Sequence, residues 1–143
     1  MIRVGFYKGK GTIFDRLIRW WCDGKYSHCE LVIPNDTWFS ADANTNRVRY
    51  TTFSPNPNNW DYVEFDTTER EEMIIRAWAD SKIGKGYDYL GLAGFVLPFN
   101  TQNPNRYFCS EVCIEALQQI GKFPRVVSSS VDPVRLARLC SLK

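Results

Sequence analysis

One cysteine of the chain stands where a helix is expected to begin. Cys109 lies in the segment YFCSE at 107–111, after a polar loop at 100–106 and at the start of a helix predicted over 108–121. The unpaired N–H groups and partial positive charge of a helix N-terminus stabilise a thiolate and can hold an oxyanion. One interpretation of Cys109 is therefore a nucleophile; the other is a small apolar core residue, as most free cysteines are.

The chain has one histidine, so only one imidazole can serve such a thiol as a base. His28 begins the segment HCELVI at 28–33, which belongs to a strand predicted over 27–33. Because side chains alternate along a strand, His28 and Glu30 share a face. A carboxylate in that place orients an imidazole and favours its cation. The simpler alternative is a half-buried histidine with a solvated glutamate beside it.

The cysteine and histidine counts limit other chemistry. Five cysteines is an odd number, which disfavours a disulfide framework, and a single histidine excludes metal sites that need two. A zinc site that combines His28 with Cys29, Cys109 and Cys113 is disfavoured, because adjacent strand residues point to opposite faces. We therefore predict no metal and no cofactor.

The charge pattern bears on partners and location. Lys and Arg number 18 against 16 Asp and Glu, a net charge of +2, too small and too scattered to favour a nucleic-acid partner. The start of the chain lacks the apolar run of a signal peptide, and the uncharged stretch near 89–106 is interrupted by glycine and proline. We expect no integral membrane segment and a cytoplasmic product as synthesised.

The elements that must position these residues follow from periodicity and capping signals. Thr12, with Asp15 three residues later, predicts a helix that ends near Gly24. The apolar residues expected to pack in the core are Ile13, Leu17 and Trp20 or Trp21, with Phe14 and Ile18 beside them. A second helix is predicted after Thr68, with Glu71 completing a capping box. Its expected apolar stripe is Met73, Ile74, Ala77 and Trp78.

The remaining elements complete a single domain over residues 1–143. A short buried helix is predicted over 87–97, and Asp132 followed by Pro133 predicts a final helix. Alternation and turn residues predict strands at 2–7, 27–33, 37–41, 47–53 and 60–65. Central strands with early and late helices indicate an α+β fold on an antiparallel sheet.

Three short motifs together resemble the circularly permuted NlpC-like branch of the papain-fold cysteine amidases. They are YSH at 26–28, GKGYDY at 84–89 and YFCSE at 107–111, and the resemblance covers roughly residues 5–121. In the ordinary order of that superfamily the cysteine precedes the histidine, whereas the permuted branch has the order found here. The small size and the absence of a secretion signal also resemble proteins of tailed bacteriophages. Virion association, or delivery to the cell wall by another factor, is the corresponding alternative location.

The resemblance implies Cys109 as nucleophile and His28 as general base and acid. The family's third polar residue corresponds most nearly to Ser40, which supplies no charge, so Glu30 or Asp42 is the better candidate. We favour Glu30 because it shares the strand face of His28. By their places in or near the motifs, Ser40, Ser110 and Tyr26 are expected to contact substrate.

Three functions remain open at this point. The first is a cysteine hydrolase of amide bonds that forms a thioester, with peptide or peptidoglycan stem peptides as substrate by family analogy. The second is a thioesterase or acyltransferase that acts on lipid or acyl substrates. The third is a non-catalytic binding module, favoured if the Cys109 sulfur is far from His28 or closed off from solvent.

Overall fold

The structure of the protein, a computed structural model, describes residues 1–89 and 105–141. In these ranges the strands are β1 (Ile2–Tyr7), β2 (His28–Ile33), β3 (Thr37–Asp42), β4 (Arg47–Thr51), β5 (Trp60–Phe65), β6 (Gly86–Tyr87) and β7 (Arg106–Tyr107). The α-helices are α1 (Ile13–Trp21), α2 (Glu69–Asp80), α3 (Cys109–Gln118) and α4 (Pro133–Ser141). The predicted α+β class is confirmed.

All seven strands belong to one sheet, in the order β5-β1-β2-β3-β4-β6-β7. Neighbouring strands are antiparallel except β6 and β7, which are parallel. The sequence did not predict these two strands, since two residues are too few to show alternation. The helix predicted over 87–97 starts at Tyr87, and this residue belongs to β6. Positions 90–97 of that predicted helix lie outside the described residues.

Local signals at the helix starts are confirmed. Thr12 and Asp15 form the capping box of α1, and Thr68 and Glu71 form that of α2. Asp132 accepts a hydrogen bond from the N–H of Arg135 at the start of α4. Each side chain satisfies an N–H that the helix itself leaves unpaired.

One face of the sheet forms the main core, and α2, α3 and α4 lie against it. Helix α3 is the most deeply placed, with seven of its ten residues buried. Its Leu117, Val112 and Cys113 meet Leu31 and Phe39 of the sheet, all fully buried. Burial of each large apolar side chain contributes about 1.5–3 kcal/mol, so α3 is fixed by hydrophobic packing.

The opposite face carries a second, aromatic cluster. Trp38 and Trp60 are nearly buried there, with ring centroids 5.0 Å apart. The connection between β4 and β5 covers them through Phe53, whose ring lies 4.6 Å from that of Trp38. A Cβ atom at Gly5 would approach both indoles to 3.2 Å, so the close packing here depends on the absence of a side chain at that position.

The predicted buried face of α1 is confirmed at Ile18 and wrong at its main positions. Ile13, Leu17 and Trp20 are 77%, 53% and 81% exposed, and Ile18 is the one buried residue of the helix. The amphipathic period identifies residues that share a helix face, but tertiary contacts decide which face meets the sheet. In α1 those contacts are polar: Arg19 donates to the carbonyl oxygens of Gly9 and Lys10.

The predicted stripe of α2 is also incorrect. Met73 and Ile74 are exposed, whereas Ile75 and Ala79 are buried, with Trp78 packed at the edge of the core. The buried set has the i, i+4 spacing of one helix face, displaced from the expected one. No helix within residues 1–89 and 105–141 is long and apolar enough to cross a bilayer.

Candidate active site

Cys109 is the first residue of α3, and its backbone environment fits a thiolate. The N-cap is Phe108, whose side chain makes no capping hydrogen bond, and the Phe108 N–H donates to Glu111 at 3.2 Å. Unlike α1, helix α3 therefore begins without a hydroxyl that accepts from its first-turn N–H groups. The positive end of the helix lies at the sulfur-bearing residue.

The packing of α3 against β2 places the Cys109 thiol beside His28. The two groups are close enough for each to shift the pKa of the other. Burial alone raises the pKa of Cys109, but a hydrogen bond from the Cys29 thiol, the imidazolium charge and a hydrogen bond from His28 lower it to about 5. Thiolate is then the main form of Cys109 at neutral pH.

His28 shows the complementary change. Burial alone lowers the pKa of His28, but the Cys109 charge and hydrogen bonds to Cys109 and Glu30 outweigh it and raise the pKa well above its usual value. The favoured state of the pair is therefore thiolate with imidazolium, in which the nucleophile is already deprotonated.

Glu30 is the carboxylate that contacts the imidazole. His28 Nε2 lies 3.1 Å from Glu30 Oε1. Glu30 is 2% exposed; its burial raises its pKa, yet the contacts with His28 and Arg49 outweigh this and lower it. Of the three candidates for the orienting residue, the structure brings Glu30 into contact with the imidazole. Asp42 instead accepts from Arg49 Nε at 3.2 Å.

Arg49, which the sequence analysis did not identify, completes this cluster. Its Nη1 and Nη2 each donate to one oxygen of Glu30 at 3.1 Å. Arg49 lies on β4, two strands away from Glu30 on β2. Nothing in the sequence around Arg49 indicates this contact, because it depends on the pairing register of three strands.

A cleft of about 470 Å³ lies between α1 and the polar end of the sheet. Its described lining includes Asp15 and Ile18 of α1, His28 and Glu30 of β2, and the indole of Trp60. The His28 ring centroid lies 6.5 Å from that of Trp60, in an edge-on arrangement. The His28 side chain is 22% exposed, so the imidazole faces the cleft.

The Cys109 thiol is closed off from solvent in the described conformation. Cys109 is 1% exposed and is not among the described residues that line the cleft. The sequence-based criteria for catalysis were contact with His28 and access to solvent. The structure meets the first, and the described conformation does not meet the second.

The expected substrate contacts of Ser40 and Ser110 are wrong. Both residues are fully buried, and their hydroxyls donate to main-chain oxygens, Ser40 to Cys29 at 2.8 Å and Ser110 to Val131. Tyr26 is half-buried and donates to Asp61 at 2.7 Å, and it too is not among the described residues that line the cleft. The need of a buried hydroxyl for a hydrogen-bond partner explains why both serines face the main chain.

Among residues 1–89 and 105–141, no group of three or more histidine, cysteine or acidic side chains has the arrangement of a metal site. All five cysteines are free thiols. A scan against models of known protein families and a search of curated proteins give no match to this chain.

Proposed function

We propose that the protein is a cysteine hydrolase that cleaves amide bonds, built on a permuted papain-like, NlpC-like fold. One observation carries the proposal: a helix-leading thiol interacts with the chain's one imidazole, whose Nε2 contacts a buried carboxylate. Nucleophile, base and orienting group are the three parts that covalent acyl transfer needs. The order histidine before cysteine supports the permuted form.

The chemistry assigns one task to each group. The Cys109 thiolate attacks the amide carbonyl, and the oxyanion forms next to the first-turn N–H groups of α3. The His28 imidazolium gives its proton to the leaving amine as the C–N bond breaks, which leaves a thioester and a neutral imidazole. Water then attacks the thioester, its proton passes to His28, and the C–S bond breaks to restore the thiolate.

Peptidoglycan stem peptides are the first substrate class to test. The support is the resemblance of the motifs to NlpC-like amidases, together with a cleft large enough for a short peptide. Acyl thioesters and lipid esters are the second class, since the same thiol and imidazole transfer acyl groups from them.

Alkylation by iodoacetamide across pH 5–9, followed by mass mapping, tests the thiolate. We expect Cys109 to react at pH 6 at close to its maximal rate, because its pKa lies near 5, while the other four thiols react slowly. His28→Ala should slow the reaction of Cys109 at pH 6 by roughly tenfold or more, since losing the imidazolium should raise the pKa of Cys109 by about two units or more, which leaves about a tenth of the thiol ionised at that pH. Equal, slow labelling of all five cysteines would contradict the proposal.

The burial of Cys109 favours a second candidate, a non-catalytic binding module on the same fold. In that case Cys109 stays unlabelled in the folded protein at every pH and becomes labelled only in denaturant. The wild type and Cys109→Ser would then bind a cell-wall ligand equally and release no amine.

Hydrolysis assays assign the substrate. Wild type and Cys109→Ser are compared on purified peptidoglycan, with new amino groups as the readout, and on acyl-thioester and lipid-ester probes. Amine release that is lost in Cys109→Ser supports the amidase. Turnover of the acyl probes alone would replace it with the thioesterase function.

A further inference from the structure

Arg49 holds both oxygens of the carboxylate that contacts the imidazole. Its two terminal nitrogens reach Glu30 Oε1 and Oε2, and its Nε reaches Asp42. Among the described residues, Arg49 and His28 are the cations that pair with Glu30. A glutamate held at both oxygens cannot rotate away from the ring nitrogen that it faces.

Ser40 makes this contact across the sheet possible. The register that pairs Leu31 with Phe39 and Ser40 with Arg49 places Glu30, Ser40 and Arg49 in one row on β2, β3 and β4. The Ser40 hydroxyl turns to the main chain, so its small side chain leaves room for the guanidinium to pass above β3. This accounts for a buried serine at a position where the family resemblance implied a site residue.

We propose that Arg49 is a positioning residue for His28: Arg49 acts through Glu30 and, among the residues that the structure describes, is the one cationic partner of Glu30 whenever the imidazole is neutral. The proposal rests on the proposed function for its catalytic meaning. In the resting pair, the imidazolium itself keeps Glu30 ionised. After the imidazole has protonated the leaving amine, this charge is lost and Arg49 alone remains to hold a buried carboxylate as an anion.

The step that needs Arg49 most is therefore hydrolysis of the thioester. A neutral His28 must keep its proton on Nε2, facing Glu30, so that Nδ1 can accept the proton of the attacking water. Without Arg49, the buried anion binds the proton of the His28–Glu30 pair more tightly. The neutral imidazole beside an ionised Glu30 then forms only at higher pH.

The other charged groups around His28 come from three elements. Cys109 lies on α3, Asp15 on α1 and Asp42 on β3, and all three favour the imidazolium. Removing the Cys109 charge mimics the thioester stage, in which the sulfur is neutral. The effect of Arg49 is thus measured most directly in a Cys109→Ala background.

The test is an NMR titration of the single histidine. It is carried out on the wild-type chain and on Cys109→Ala, and then on Cys109→Ala combined with one further substitution: Arg49→Met, Arg49→Lys or Ser40→Ala. We expect Arg49→Met to raise the apparent pKa of His28 by about one unit or more, because a cation near the pair is lost. Arg49→Lys, which keeps the charge, should shift it by less than half as much. Ser40→Ala keeps the space above β3 and should leave the titration unchanged.

A second background shows whether Arg49 acts through Glu30. With Glu30→Gln present, Arg49→Met should move the His28 titration by less than about 0.3 units, since the intermediary is gone. This variant loses both partners of a buried ion pair, a change that proteins usually tolerate. If Arg49→Met alone does not fold, Arg49→Gln gives the same measurement with a polar, uncharged side chain.

Two results would overturn the proposal: a folded Arg49→Met or Arg49→Gln variant in which His28 titrates as in the parent, or an equal shift with and without Glu30. Neither measurement uses a substrate. A chain that hydrolyses no amide but shows the expected shifts would refute the proposed function and leave the role of Arg49 standing. An active chain that shows none of these shifts would refute the role of Arg49 and leave the proposed function standing.

Discussion

Helices α1 and α3 both contribute to the candidate site and are held in different ways. Seven residues of α3 are buried, whereas α1 buries only Ile18. Polar contacts fix α1 instead: Asp15 accepts from Thr12 and from Ser27, and Arg19 donates to the loop at Gly9. The proposed nucleophile thus lies on a helix set by apolar packing, and one wall of the cleft lies on a helix set by hydrogen bonds.

The difference matters for how the site can respond to a ligand. A closely packed helix cannot move without opening cavities, so α3 fixes the sulfur relative to the sheet. A helix held mainly by exposed or half-buried hydrogen bonds opens locally at lower free energy. Of these two helices, α1 is therefore the one whose displacement should cost less free energy.

The largest expected effect comes from matched leucines. Leu117→Ala in α3 removes a fully buried side chain and should lower the free energy of unfolding by about 2–5 kcal/mol. Leu17→Ala in α1, where the leucine is 53% exposed, should change it by less than about 0.5 kcal/mol. Urea denaturation of both variants measures this, and similar costs would refute the contrast between the helices.

A smaller effect is expected from the helix caps. Thr12→Ala should lower the free energy of unfolding by about 1 kcal/mol, because the N–H of Asp15 loses its side-chain acceptor. Hydrogen exchange should become faster in α1 and stay unchanged in α3. Thr68→Ala removes the same cap from α2 and is the matched control; faster exchange in α1 there would contradict local anchoring.

The remaining effects concern pH, and the two helices differ in the sign of the pH dependence. Burial raises the pKa of Glu111 in α3 from 4.5 to about 7, with the nearby charges of Glu115 and Asp88 adding to the rise. The folded state then binds this proton more tightly than the unfolded state, so stability falls as pH rises from about 4.5 through 7. Glu111→Gln should reduce the loss of Tm between pH 5 and pH 8; an unchanged slope would contradict this.

Asp15 in α1 supplies the opposite case. Burial acts to raise its pKa, but hydrogen bonds from Thr12 and Ser27 outweigh it and lower the pKa below 3.8. Its contribution to stability is present above 3.8 and is lost as pH falls below that value. Asp15→Asn should therefore lower Tm at pH 7 and have little effect at pH 2.5, in the same thermal scans.

Short-range signals in the sequence predicted much of the fold. The capping boxes at Thr12 and Thr68 fixed two helix starts, and alternation located five of the strands, because both depend on residues close in the chain. The predictions of which faces of α1 and α2 are buried were largely wrong, since periodicity does not show which of two apolar helix faces packs against the sheet. The strands β6 and β7 were missed because each has only two residues.

In the candidate site too, contacts between residues close in the chain were predictable and contacts between distant residues were not. Glu30 was predicted to orient His28 from spacing within one strand, and the structure places the two in contact. Arg49 was out of reach of such an argument, since its contact spans β2, β3 and β4. Ser40 and Ser110 were misassigned because a short motif does not show whether a hydroxyl faces a cleft or the main chain.

The row of Glu30, Ser40 and Arg49 also predicts how these three positions vary among related sequences. Position 40 must stay small as long as positions 30 and 49 carry an acid and a base, so these three positions should change together. When homologous chains are aligned, a large residue at 40 should accompany loss of the ion pair. That pattern of covariation would identify which relatives share this site.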